Sequence, residues 1–226
     1  GPRRRLRTAA PAAPTEGHTM HVTSRLLRVA SGAAMPQAIA LVNHVLEHLN
    51  TTYGTQFGAG VQVGGDPAVI GITNGFETLA EYDTLLAALP GDQDYQAAVK
   101  MGDHLFADGA EDAIWKVRIP PGEPDQISQI SHVRVELTRI AEAMTFAAEV
   151  SATVSEILGR PTGLVSAATG DRARILWVGY GSSLAQLEAD GDTLVGNDEY
   201  VDLFKRSEGL FVPNTLEQNI WRRVTA

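Results

Sequence analysis

Residues 72–100 read ITNGFETLAEYDTLLAALPGDQDYQAAVK, and residues 178–205 read VGYGSSLAQLEADGDTLVGNDEYVDLFK. Laid over each other at a shift of 105 positions, they bring Leu79 onto Leu184, Leu89 onto Leu194, Gly91 onto Gly196, Tyr95 onto Tyr200 and Lys100 onto Lys205. Leu105 and Phe106 then fall on Leu210 and Phe211. With one inserted residue, AIWKVRI (113–119) pairs with NIWRRV (219–224). Upstream, HVTSRLLRVA (21–30) is laid on HVRVELTRIA (132–141), which puts His21 on His132 and Arg28 on Arg139. Self-similarity at a fixed long period means that one structural unit occurs twice. The chain therefore divides into a basic arm (1–19), a first unit (20–119), a linker (120–127) and a second unit (128–226). The linker stretch PPGEPDQ is rich in Pro and reads as extended.

Within the second unit, HVRVELTRI alternates as a strand, and AMTFAAEVSATVSEILG has helical spacing and stops at Gly159. GLVSAAT and ARILWVGY flank a turn at Gly170 and Asp171, SSLAQLEADGDTL opens on serine caps, and NIWRRV closes as a strand. A further helix is expected around NDEYVDLFKRSEGL. The order β-α-β-β-α-β is that of a ferredoxin-like unit. The fold class expected is α+β, two such units in tandem with antiparallel sheets packed as an intramolecular barrel.

Composition narrows the function. The chain has 226 residues, a net charge of -9 and no cysteine. An acidic surface disfavours nucleic acid, since phosphate contacts need clustered Lys and Arg. Without cysteine there is no disulfide, no thiolate nucleophile and no Cys-bound metal, which suits a reducing, cytoplasmic compartment. No apolar run reaches the length of a membrane span, so no membrane partner is expected and the chain reads as soluble. The arm carries Arg3, Arg4, Arg5 and Arg7 before its first acid, Glu16, and lacks the apolar core of a secretory signal. It reads as a tail or as a contact between subunits of a homo-oligomer.

The quoted repeat, with its order of elements, resembles the dimeric α+β barrel superfamily. Within it, the chain looks like NIPSNAP-type proteins and, more distantly, antibiotic-biosynthesis monooxygenases. One departure is that the aromatic in the helix before the last strand is Tyr95 or Tyr200, where the family often has Trp. The resemblance implies two sheets facing each other around a pocket for a hydrophobic small molecule, with the site in the barrel interior.

Under that architecture the polar parity of each unit's first strand lines the interior or its mouth. His21, Arg25, His132, Arg134 and Glu136 are the candidate catalytic groups, because burial and neighbours tune their pKa values for acid–base work. The competing reading makes them an ion-pair network between the sheets. Trp115 and Trp221 are equivalent in the repeat, which favours packing. Trp177 and Tyr180 replace Ile72 and Gly75, and such asymmetric positions make better site candidates. Asn74, Phe76, Trp177 and Tyr180 are the candidate substrate contacts. The activity implied is that of a cofactor-independent oxygenase or a polyketide-type cyclase acting on an aromatic substrate. His132 or His21 would be the base, and Arg25 or Arg134 would hold an enolate or phenolate. The alternative is a non-catalytic ligand-binding or assembly protein, and a filled barrel would favour it.

Two cofactor ideas remain. His44, Glu47 and His48 spell H-x-x-E-H, the inverted zinc-peptidase pattern, with Glu123 at the spacing of a third ligand. Glu123 sits among prolines, however, and the matching helix of the second unit has no histidine. His104 is a lone candidate for a haem iron. No nucleotide loop is present, since GAGVQVGGD (58–66) lacks the required spacing. The expectation is no cofactor and no metal, with His44 and His48 as weak metal candidates.

Overall fold

A computed structural model describes residues 20–107 and 109–225; the basic arm lies outside the described residues. The first half runs β1 (His21–Arg28), α1 (Met35–Tyr53), β2 (Gly58–Gly64), β3 (Val69–Phe76), α2 (Leu79–Ala88), α3 (Gln93–Gly102) and β4 (Glu111–Ile119). The second runs β5 (Ile127–Arg134), α4 (Ile140–Leu158), β6 (Thr162–Ala167), β7 (Arg174–Gly181), α5 (Leu184–Val195), α6 (Asp198–Arg206) and β8 (Glu217–Arg223). The same order of elements thus occurs twice, and each half has the extra helix before its last strand.

Local chemistry explains why the elements start and stop alike. Thr78 and Ser183 cap α2 and α5 by accepting the N–H of Glu81 and Gln186. Asp92 and Asn197 do the same for α3 and α6. A cap oxygen satisfies one of the orphan N–H groups of a helix's first turn. Gly54 and Gly159 end α1 and α4 at φ 67 and 65, left-handed backbone that glycine adopts without a Cβ clash.

All eight strands are antiparallel and close into one barrel in the order β1-β3-β2-β8-β5-β7-β6-β4. β2 meets β8, and β4 meets β6, so the two four-stranded sheets cover each other's edges. The helices lie outside. In the first half, Ala38, Val42, Leu46 and Leu49 of α1 pack on Ala59 and Ile70; in the second, Ala143, Phe146 and Ala147 of α4 pack on Val133, Leu164 and Ile175. A third core, Trp115, Val165 and Leu176, fills the middle of the barrel with Val22, Ile130 and Val178 against it. Among the described residues, no helix is long and apolar enough to cross a membrane.

The first strand of the second unit, expected over 132–140, instead spans Ile127–Arg134, and a 3-10 turn (Leu137–Arg139) leads into α4. The true equivalents are marked by Val29 and Val135, both buried, which bridge to Phe106 and Phe211. His21 therefore corresponds to Ile127, and Arg25 to Ser131. Laying His21 on His132 was a slip of five positions, and an odd slip turns every side chain to the opposite face of the sheet. The weakly patterned run ISQIS concealed the strand because it carries polar residues on its helix-facing side.

Candidate functional site

The faces of the sheet sort the candidate residues. His132 points into the lumen near one mouth, half-buried, with Asn219 Nδ2 at 3.3 Å and Glu217 Oε2 at 3.4 Å from its Nε2. Burial first, and the nearby Arg174 charge second, push its pKa below the usual histidine value, so the neutral ring is favoured. Arg174 lies over the Trp115 ring, 5.5 Å from its centre, and Trp115 Nε1 donates to Ser24 Oγ at 2.8 Å. Arg134 pairs with Asp171 at 2.8 Å. Glu136 lies beyond the strand, where its backbone N–H donates to Leu210 O. Tyr180 also has lumen parity, paired opposite Ser128, and burial raises its pKa.

His21 and Arg25 are on the opposite surface, under the helices of the first half. Arg25 grips Asp112 with two hydrogen bonds of 2.7 Å. That contact lowers the pKa of Asp112 and raises that of Arg25. Asn74 is buried and accepts the Gln56 N–H at 2.9 Å. The Phe76 ring packs 5.0 Å from Tyr82 and 6.3 Å from Phe57. The five candidate catalytic groups are thus not one constellation: the sheet separates His21 and Arg25 from His132 and Arg134.

The space sought in the lumen lies elsewhere. A cleft of about 710 Å³ opens between the outer face of the second sheet and α4, α5 and α6, within the range of small-molecule sites. Its floor is a grid of neighbouring strand positions. One row is Gln218, Ser131 and Trp177; the next holds Gln129, Gly179 and Thr162. The corresponding first-half positions are Asp112, Arg25 and Ile72, then Thr23, Asn74 and Phe57. An ion pair and a buried amide close the first-half floor, while an amide, a hydroxyl and a glycine leave the second open. A Cβ on Gly179 would meet nothing within 4 Å.

The walls are aromatic and aliphatic. Trp177 donates Nε1–H to Ala147 O at 3.0 Å, so it offers the cleft its ring and not its donor. Phe211 stands edge-on to it at 6.0 Å and 5.9 Å from Phe146. Tyr200 also lines the cleft, and burial raises its pKa, which keeps the hydroxyl protonated as a donor. In the same lining, Arg160 and Asp190 bind each other through both prongs of the guanidinium.

Of the expected substrate contacts, Trp177 lines this cleft; Asn74 and Phe76 belong to the first half, and Tyr180 to the lumen. Gln129, Ser131, Gly179 and Gln218 line it as well, beyond the residues expected from sequence. Their signal was the same asymmetry that pointed to Trp177, hidden at Ser131 by the slipped register.

The histidine helix has a structural use. His48 Nε2 lies 2.7 Å from Asp92 Oδ2, and the Tyr53 hydroxyl donates to the same oxygen at 2.8 Å. The Tyr95 N–H first, then His48 and Tyr53, hold Asp92 at about 2. Among the described residues no group of three or more His, Asp or Glu is placed to hold a metal ion. His104 is exposed after α3, and the cleft lining contains no histidine, so it presents no imidazole to a haem iron.

No family model matches the sequence, and no curated protein matches it. Solved structures do share the fold. A "putative monooxygenase" from Lactobacillus acidophilus has a TM-score of 0.67 at 11% identity, covering 92% of this chain and 95% of its own. An anthrone oxidase-like protein has a TM-score of 0.63 at 13% identity, covering 92% of each chain. A NIPSNAP family protein from Agrobacterium tumefaciens covers 45% of this chain and 89% of its own, with a TM-score of 0.40 at 22% identity. The first two are similar over both halves, and the shared feature is the α+β barrel.

Proposed function

We propose that this protein is a small-molecule tailoring enzyme of the α+β barrel type, a cofactor-independent oxygenase or cyclase, whose substrate sits in the second-half cleft. The observation that carries the reading is the open floor at Gly179 beneath Trp177, Phe211 and Tyr200, in a cleft of about 710 Å³. Apolar walls around a few placed polar groups are the usual make-up of a ligand site. In the oxygenase form, a methylene flanked by aromatic rings is oxidised to a carbonyl by one dioxygen, and one water leaves. Tyr200, Gln218 and Ser131 are the donors that would hold the oxyanion formed when the substrate gives up a proton to solvent water in the open cleft. The names of the two structural neighbours point to the same reaction class.

A second reading is a ligand-binding protein without catalysis. It draws on two observations: the middle of the lumen is packed, and two polar side chains of the cleft lining, Arg160 and Asp190, are occupied with each other.

Dioxygen uptake with anthrone as substrate, in chelator-treated protein, tests the choice. Uptake that is lost in Gly179→Leu supports the enzyme. Anthrone binding with neither uptake nor any chemical change in the ligand supports the second reading, and neither binding nor uptake overturns both.

A further inference from the structure

We infer that the groove between α1 and α3 binds a soft monovalent metal ion, Cu(I), with His44 and His48 of α1 and Met101 of α3 as its donors. The groove shares no lining residue with the cleft, so this site stands or falls apart from the proposed activity.

The donors line one space. A cavity of about 320 Å³ has His44, Val45 and His48 on the α1 side and Asp94, Ala98 and Met101 on the α3 side. His44 and His48 are four residues apart on α1, so they share a face of that helix. Among the described residues no three His, Asp or Glu groups come together to hold a metal, and a zinc site in a chain without cysteine needs at least that many. Two imidazoles and a thioether are a softer set, and thioether sulfur selects Cu(I).

The other half shows that the donors can meet. At the shift of 105 positions His44 corresponds to Glu149 and Met101 to Arg206. Those two side chains touch at 2.7 Å across the equivalent helices, α4 and α6. Positions 44 and 101 are therefore within reach of one another across the groove. Glu149 and Arg206 neutralise each other there. An imidazole and a thioether form no ion pair, and each has a lone pair to offer a cation.

His48 is already oriented for the role. Its Nε2 lies 2.7 Å from Asp92 Oδ2, the oxygen that also accepts the Tyr53 hydroxyl proton. An ionised carboxylate only accepts, so Nε2 carries the hydrogen and Nδ1 is the nitrogen with the lone pair. A carboxylate behind a histidine is the common support of a metal ligand, because it fixes the tautomer and raises the basicity of the ring. The second half has Thr153 and Asn197 at these two positions, so the support occurs only where the imidazoles do. Asp94 adds a negative charge to the lining, which favours a cation.

Anaerobic titration of the full chain with Cu(I), kept reduced by ascorbate and in competition with bathocuproine disulfonate, tests this, with Zn(II) titrated alongside. The chain should take one Cu(I) from the competitor and bind Zn(II) more weakly. Ag(I), a redox-inert stand-in, should shift the methyl resonance of Met101 and leave those of Met20, Met35 and Met144 in place. His44 and Met101 are exposed, so their replacement spares the core. Met101→Leu should weaken Cu(I) by more than the roughly tenfold that losing a mere supporting partner costs, with Zn(II) binding unchanged. His44→Glu combined with Met101→Arg, which copies the ion pair of the second half, should keep its circular dichroism and take no Cu(I). The inference is overturned if no Cu(I) is taken, if Zn(II) binds as tightly, if the Met101 resonance does not move, or if either variant keeps the wild-type Cu(I) affinity.

Discussion

Arg25 holds Asp112 through two hydrogen bonds of 2.7 Å, at the positions that Ser131 and Gln218 occupy in the other half of the barrel. The pair closes a floor that the hydroxyl and amide leave open. Because Arg25 and Asp112 side chains are 48% and 53% exposed, solvent screens their attraction. Replacing both, Arg25→Ser with Asp112→Gln, should cost no more than about 1 kcal/mol in urea unfolding. The double variant should also gain no affinity for anthrone in the first half, because Ile72, Asn74 and Phe57 still occupy the neighbouring positions. A loss of several kcal/mol would mean that the pair is a structural keystone.

Leu164 lies on β6 at 1% exposure, in the core beneath α4. Leu164→Ala should destabilise the fold by about 2–5 kcal/mol, the range for emptying a close-packed site. Equilibrium denaturation measures it. A cost under 1 kcal/mol would show that the adjoining cleft lets the wall collapse into the gap.

Asp92 supplies a pH signature. Its folded pKa is lowered from 3.8 to about 2, so its contribution to stability is complete above about pH 4 and fades as pH falls towards 2. Asp92→Asn keeps a capping oxygen but cannot ionise. The variant's urea midpoint should therefore change less than wild type between pH 4 and pH 2. Parallel curves would count against the arrangement of Tyr95 N–H, His48 and Tyr53 around the carboxylate.

His132 works in the same direction, at a higher pH. Its pKa is lowered below 6.5 by burial and by Arg174, so the unfolded chain binds more protons as pH drops through that value, and stability falls with it. The ring resonances of His132, followed by NMR, should titrate below 6.5. Arg174→Gln should raise the midpoint, and an unmoved midpoint would show that burial acts alone.

Much of the fold was legible in particular residues. Gly159 announced the end of α4, the serine hydroxyl at Ser183 the start of α5, and Tyr95 with Tyr200 the equivalence of α3 and α6. These are local signals, since a cap or a left-handed turn is decided by a few neighbouring atoms. The phase of β5 was not legible. ISQISHVR alternates weakly, and both HVTS and HVRV offer a plausible strand start, so only pairing with β7 and β8 selected Ile127–Arg134. The H-x-x-E-H spacing was read correctly as helical, but the partner of His48 is Asp92, 44 residues away, and no local pattern reveals it.

By itself, the sequence determined an α+β architecture whose order of elements occurs twice, the ends of several helices and positions at which the halves differ. Periodicity, capping and composition act over a few residues and survive in one dimension. Tertiary structure decided which face of each strand meets the helices, and therefore that His132 looks into the packed lumen while Ser131 looks into the cleft. It also decided that the open space lies outside the barrel, over Gly179. Side chains alternate at every step along a strand, so one pairing choice between β5 and its neighbours assigns a whole row of residues to the lumen or the cleft.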